Sequence, residues 1–248
     1  FGDFMTLTID QLVQQASKIP SMYGRDIKLP LTIRSPMGGR RGYGPTHSQN
    51  IEKILLFWPN IEVLAINILT KPMEFYKQAV LDDKTNIIIE DKVSYTQNFN
   101  AKGINNFEIF ESNEKYKTIK IAPNFIEPNL VILCYGAMLS ELINVLPDLV
   151  NEEIFPLIIC PSRISPINLT IFEDVNLEKL PLIFVEEGSK RAAWSSEVIS
   201  SLIENGYKLN DVNRISNEHI IPCAKDLEEK IFPSRLNLTD KIKERINL

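Results

Sequence analysis

An α/β fold with parallel sheets is predicted by three observations. Short apolar runs alternate with stretches that repeat apolar residues at helical spacing. The runs are nearly continuous rather than alternating, as expected of strands covered on both faces. The rhythm breaks only over an Asn- and Lys-rich segment at 96–128, which divides the chain into 1–95, a linker or arm at 96–128, and 129–248.

In the first unit, Ile9, Leu12, Val13, Ala16 and Ile19 mark a helix that Pro20 stops. Leu29 to Ile33 is a strand capped by Arg34-Ser35-Pro36. Ile51, Ile54, Leu55 and Trp58 form a second helical stripe, followed by a strand over Ile61 to Ile66. Met73, Tyr76, Lys77 and Val80 lie on a third helix, with Pro72 in its first turn, and Ile87 to Ile89 is a third strand. Within 96–128, alternation around Phe107–Phe110 and Tyr116–Ile121 predicts a hairpin.

In the second unit, a strand over Val131–Tyr135 leads through Gly136 to a helix whose face carries Leu139, Leu142, Ile143, Leu146 and Leu149. A strand at Phe155–Cys160, a short helical stretch near Leu169–Val175 and a strand at Leu182–Val185 follow. Next come a helix from Ala193 to Glu204, a weaker strand at Val212–Ser216, and short helices near Ala224–Ile231 and Leu238–Ile246.

Composition narrows the function classes. Lys+Arg of 27 against Asp+Glu of 32 leaves a net charge of −5, which excludes a general nucleic-acid binder. Three cysteines rule out a disulfide framework and fit a reducing, cytoplasmic setting. Two histidines leave little room for zinc, so no metal ligands are assigned. No apolar run reaches the roughly 20 residues a membrane helix needs.

The segment Arg34–Gln49 is the place to look for chemistry. It joins the carboxyl end of a strand to a helix start, where ligands collect in open parallel sheets. Four of the ten glycines crowd into 38–44, and His47 follows. Near neutral pH, His47 is a candidate proton carrier; the alternative is a histidine capping a helix from a surface loop. Arg40-Arg41 are candidates for a substrate anion, or solvated loop charges. Glu186-Glu187 lie at a strand's carboxyl end and are candidates to face a crevice, whereas Asp82-Asp83 read as a solvated cap. Cys134, Cys160 and Cys223 read as small core residues, and His219 as part of a turn. No phosphate loop, dinucleotide fingerprint or nucleophile elbow is present.

The run Gly38–Gln49, ending in His47-Ser48-Gln49, together with Pro59-Asn60-Ile61-Glu62-Val63, resembles the β subunit of the thiamine-diphosphate-dependent first component of 2-oxo acid dehydrogenase complexes, a transketolase-like family. Phe1-Gly2-Asp3-Phe4, Val185-Glu186-Glu187-Gly188, and Leu227-Glu228-Glu229 with Phe232-Pro233-Ser234 extend the resemblance over nearly the whole chain. Asn60 stands where the family usually has glycine.

The resemblance implies that residues 1–95 are the later part of a pyrimidine-binding domain and that 129–248 are a transketolase carboxy-terminal domain. It places Phe4 against the aminopyrimidine of thiamine diphosphate and His47 at the active-site histidine. It implies oxidative decarboxylation with acyl transfer to a lipoyl group, Mg held on the diphosphate side, an α subunit or α portion as partner, homo-oligomer contacts through both domains, and docking to a lipoyl acyltransferase core. Arg40 and Arg41 become candidates for the substrate entrance. A potassium site near Ala79 and Asp82 is not carried over, because Lys84 replaces a frequent Asn. The family's activating glutamate falls roughly 25 residues ahead of Phe4, where this sequence has nothing, so the chain is expected to be a carboxy-terminal piece that is inactive alone. The rivals are a ketol transferase of the transketolase or deoxyxylulose-phosphate synthase kind and a non-catalytic assembly module.

Overall fold

The computed structural model describes residues 1–23, 27–97 and 104–246, so residues 98–103 of the anticipated arm lie outside the described residues. It contains two sheets. In the first, β1 (Thr32–Met37), β3 (Thr85–Asp91) and β2 (Ile61–Ala65) run parallel in that order, and β8 (Arg163–Ser165) adds antiparallel beside β2. The second has six strands: β10 (Val212–Asn217), β9 (Leu182–Ser189), β6 (Leu130–Cys134) and β7 (Pro156–Pro161) are parallel. The hairpin of β5 (Thr118–Pro123) and β4 (Phe107–Glu111) continues it antiparallel.

Side-chain alternation distributes the core. Val63, Ala65, Ile87 and Ile89 of the first sheet share one cluster with Val131, Leu133 and Phe184 of the second. The opposite face of the first sheet, Leu64 and Ile88, packs on Phe75 and Ala79 of α2 (Pro72–Val80). The opposite face of the second, including Ile132, Cys134 and Ile183, packs on α3 (Met138–Asn151) and α6 (Leu238–Ile246). β8 reaches the first sheet from the chain of the second, and its central residue Ile164 accepts a 2.9 Å bond at its carbonyl from the Trp194 indole of α4 (Trp194–Glu204). One continuous apolar layer therefore joins the sheets and fixes how their strand ends meet.

Several boundaries differ from expectation. Pro20 does not end the first helical stretch; it opens α1 (Ile19–Met22), where a missing N–H costs nothing. The preceding turns are 3₁₀ over Gly2–Thr8 and π-helical over Gln11–Ala16. The first strand runs through Arg34-Ser35-Pro36, because its partner β3 carries the ladder to Asp91 and an edge strand tolerates proline. The helix over Ile51–Trp58 shrinks to one 3₁₀ turn, Glu52–Ile54, whose last carbonyl accepts from the Trp58 indole. On α2, Met73 and Val80 point to solvent and Phe75 and Ala79 inward. Asn60 has φ of +59°, a conformation asparagine adopts more readily than most side chains, which accounts for its standing where glycine is usual.

The shared layer yields a prediction. Leu133→Ala removes a fully buried side chain between the sheets and is expected to lower unfolding free energy by about 2–5 kcal/mol. Urea denaturation measures this, and a loss within about 0.5 kcal/mol would contradict the packing described.

Candidate active site

The carboxyl ends of β1, β3 and β9 converge on the loop from Gly38 to Gln49. Gly39 donates its backbone N–H to Glu187 Oε1 at 2.5 Å. Arg40, only 6 % exposed, sits among three carboxylates: Asp91 at 2.9 Å, Glu187 at 3.3 Å, and Glu141 of α3. Further along, Arg41 N, Gly42 N and Gly44 N donate to Glu228 at 3.1, 2.9 and 3.0 Å, and the Ser48 hydroxyl donates at 2.6 Å. Glu228 lies on α5 (Lys225–Ile231) and is fully buried.

The glycines make this approach feasible. A Cβ on Gly39 would lie 2.2 Å from the Phe232 ring. Gly42 has φ of +78°, and a Cβ there would meet Lys225 N at 2.9 Å.

At the far end of the loop stands His47. Its ring centroid is 4.6 Å from that of Phe1 and 5.4 Å from that of Phe4. Phe1, Phe4 and Tyr43 are all about half exposed, so the histidine looks onto an open aromatic wall. Nδ1 of His47 is buried and has no hydrogen-bond partner among the described residues. Beneath the wall, the Lys92 ammonium donates to the His47 carbonyl and lies 4.8 Å from the Phe1 ring and 5.4 Å from the Tyr43 ring. Burial lowers the Lys92 pKa, opposed by the charges of Asp3, Glu187, Asp91 and Glu228.

A second group of acids lies behind the loop. Glu186 is fully buried and accepts from the Ser195 hydroxyl; burial pushes its pKa up to about 7. Glu52, also buried, has no partner for either carboxylate oxygen among the described residues, and burial raises its pKa too. Its Oε1 lies where a Cβ on Gly188 would be 2.6 Å away. Glu187 is likewise raised by burial, with Arg40 acting the other way.

The structure pairs Phe4 with His47 and Arg40 with Glu187 at opposite ends of the loop and revises several expectations. Arg40 is not at an entrance: its guanidinium is consumed by internal carboxylates. Glu186-Glu187 lie inside β9 rather than after a strand ending at Val185, because the ladder and their internal donors continue past it. Asp82 is not a solvated cap; it is buried and bound by Tyr116 at 2.9 Å and Lys115 at 2.6 Å, while Asp83 is exposed. Cys134 and Cys160 are core residues, but Cys223 is exposed. The Ala79 carbonyl accepts from Thr32 and Asn86. Lys92, Glu52 and the loop-binding role of Glu228 were not anticipated. For Glu228 the one signal was its place in the Leu227-Glu228-Glu229 motif. Among the described residues, no helix is long and apolar enough to cross a membrane, and no three His, Cys, Asp or Glu side chains are grouped to hold a metal.

Residues 125–237 match the family described as the transketolase C-terminal domain. The match falls almost wholly within the second unit. Over 239 residues the chain is 25% identical to the pyruvate dehydrogenase E1 component subunit beta of Gracilaria tenuistipitata var. liui, covering 94% of this chain and 71% of that protein. It is 24% identical to the acetoin:2,6-dichlorophenolindophenol oxidoreductase subunit beta of Bacillus subtilis, covering 94% and 67%. A split-gene transketolase solved as an inactive β4 tetramer superposes with a TM-score of 0.70 at 15% identity, over 100% of this chain and 75% of that one, which speaks for the fold. The first of these names is that of the family the sequence motifs resemble.

The buried acids yield a pH prediction. A carboxyl whose folded pKa is raised contributes a stability that is complete below its unfolded pKa and is lost as pH rises through the folded value. For Glu186 the window runs from 4.5 to about 7, and the full cost is on the order of 3 kcal/mol. Glu186→Gln is therefore expected to melt above wild type at pH 8, with the gap closing near pH 4.5. A variant less stable than wild type at pH 8 would contradict the assignment.

Proposed function

We propose that this chain is the β portion of a thiamine-diphosphate-dependent 2-oxo acid dehydrogenase, which oxidatively decarboxylates a 2-oxo acid and passes the acyl group to a lipoyl arm. The observation that carries the reading is the pairing of His47 with the half-exposed Phe4 ring at the carboxyl ends of a parallel sheet, in a chain similar along 94% of its length to E1 β subunits. In this reading residues 1–95 are the later part of the pyrimidine-binding domain, 96–128 the connecting arm and 129–248 the carboxy-terminal domain. Its partners are an α subunit or portion, which holds the Mg and diphosphate, further copies of the chain, and a lipoyl acyltransferase core. Its place is the cytoplasm.

The residues fit the cofactor on their own chemistry. An open aromatic face suits an aminopyrimidine ring, and a histidine beside it is the side chain best suited to carry a proton near neutral pH. When bound, thiamine diphosphate supplies the electron sink for carbon–carbon cleavage. Phe4 would pack on the pyrimidine, and Phe1, backed by Tyr43, covers one side of the His47 ring. His47 holds or releases a proton at its imidazole, whose ring packs on Phe1 and Phe4. Lys92 holds the His47 backbone through the His47 carbonyl.

The test is turnover of the chain assembled with its α-type partner. His47→Ala is expected to lower kcat by about 10²–10⁴-fold in lipoyl transfer with the melting temperature preserved, and wild-type rates would refute the role. Assaying pyruvate, branched-chain 2-oxo acids and acetoin in parallel identifies the substrate; ketol transfer to an aldehyde instead would favour the transketolase alternative.

A further inference from the structure

We propose that Glu228, in the transketolase carboxy-terminal domain, is the positioning residue that sets the conformation of the loop bearing His47. The inference rests on the reading of His47 as the proton-carrying group.

Glu228 Oε2 accepts from Arg41 N and Gly42 N, and Oε1 accepts from Gly44 N and the Ser48 hydroxyl. Three backbone N–H groups turned toward one carboxylate form an anion-binding concavity, here closed by the protein's own side chain. The bonds bracket His47: Gly44 lies three residues before it and Ser48 immediately after. Within the bracket, the N–H groups of His47 and Ser48 both donate to the Gly44 carbonyl, at 3.2 and 3.0 Å. Fixing Gly44 and Ser48 therefore fixes the backbone from which the imidazole projects.

Glu228 forms no ion pair with a Lys or Arg among the described residues. Lys92 is close enough to feel its charge, but its hydrogen bond goes to the His47 carbonyl. The buried carboxylate thus takes its hydrogen bonds from the loop, and the loop's amides are satisfied by the carboxylate. If the loop moves away, both sides are left unpaired in a buried place, which makes docking all-or-none.

The charge pattern makes the isosteric variant decisive. Both oxygens must accept two hydrogen bonds, and Glu228→Gln replaces one acceptor with an NH₂ donor facing two donors, at unchanged volume. Glu228→Asp keeps both acceptors and shortens the reach by one methylene. In the chain assembled with its α-type partner, Glu228→Gln is expected to lower kcat about 10–100-fold with KM within about twofold. Trypsin cleavage of the Arg41–Gly42 bond, followed by mass spectrometry, is expected to accelerate at least about 10-fold. Glu228→Asp should recover most of both. Unchanged kcat and cleavage in Glu228→Gln, or a fall in kcat that only tracks a lowered melting temperature, would overturn the proposal. Should Glu228→Gln not fold, Ser48→Ala decides by the same cleavage rate: acceleration supports the anchor and wild-type resistance overturns it. Should wild type show no thiamine-dependent turnover, the functional reading falls, and the cleavage rate still decides whether Glu228 holds the loop.

Discussion

A carboxylate buried without donors is one of the costlier arrangements in a protein interior, and the loop from Gly38 to Gln49 relieves two of them at once. Glu187 takes the Gly39 N–H and the Arg40 guanidinium; Glu228 takes three N–H groups and a hydroxyl. The acids lie in β9 and α5, 148 and 184 positions along the chain from the loop amides they hold. The constraint is mutual: the acids stay buried only while the loop is docked, and the loop keeps its left-handed turns only while the acids hold its amides. The order of the His47 region and the alignment of the two sheets are thus one property.

That coupling gives the parallel sheets their use. Parallel strands bring all their carboxyl ends to one edge, where backbone groups run out of ladder partners and side chains such as Asp91 and Glu187 project into the same space. Arg40 gathers these with Glu141 of α3 and becomes an interior strut. Removing one partner from such a network would leave charge stranded, so its members constrain one another. The aromatic wall of Phe1, Phe4 and Tyr43 is the opposite case. It packs on His47 and the Lys92 ammonium on its inner side and leaves the rings of Phe4 and Tyr43 about half exposed on the other.

What could be read from the sequence follows from how local each cause is. Strands such as Ile61–Ala65 and Leu130–Cys134 are buried on both faces and show it as unbroken apolar runs. The glycine cluster announces a loop with unusual backbone, and the positive φ of Gly38, Arg40, Gly42 and Gly44 ahead of His47 agrees with it. Glu186, Glu187 and Glu228 were not legible as buried, because polarity ordinarily means exposure and their partners lie far along the chain. The Gly39–Glu187 bond spans 148 positions and the Gly44–Glu228 bond 184. Arg40 looked like an entrance charge for the same reason. Pro36 ended the first strand on paper because its edge position depends on sheet order, which no local window contains.

The central claim is that the His47 loop is held as firmly as the sheets it bridges. Residue-resolved hydrogen exchange of the wild-type chain measures this directly at the amides of Gly39, Arg41, Gly42 and Gly44. None of these donates into a helix or strand ladder, so any slow exchange comes from the carboxylates. The account predicts protection approaching that of Ile87–Ile89 in β3. Exchange at the rate of an open glycine-rich loop, with β3 still protected, would contradict it.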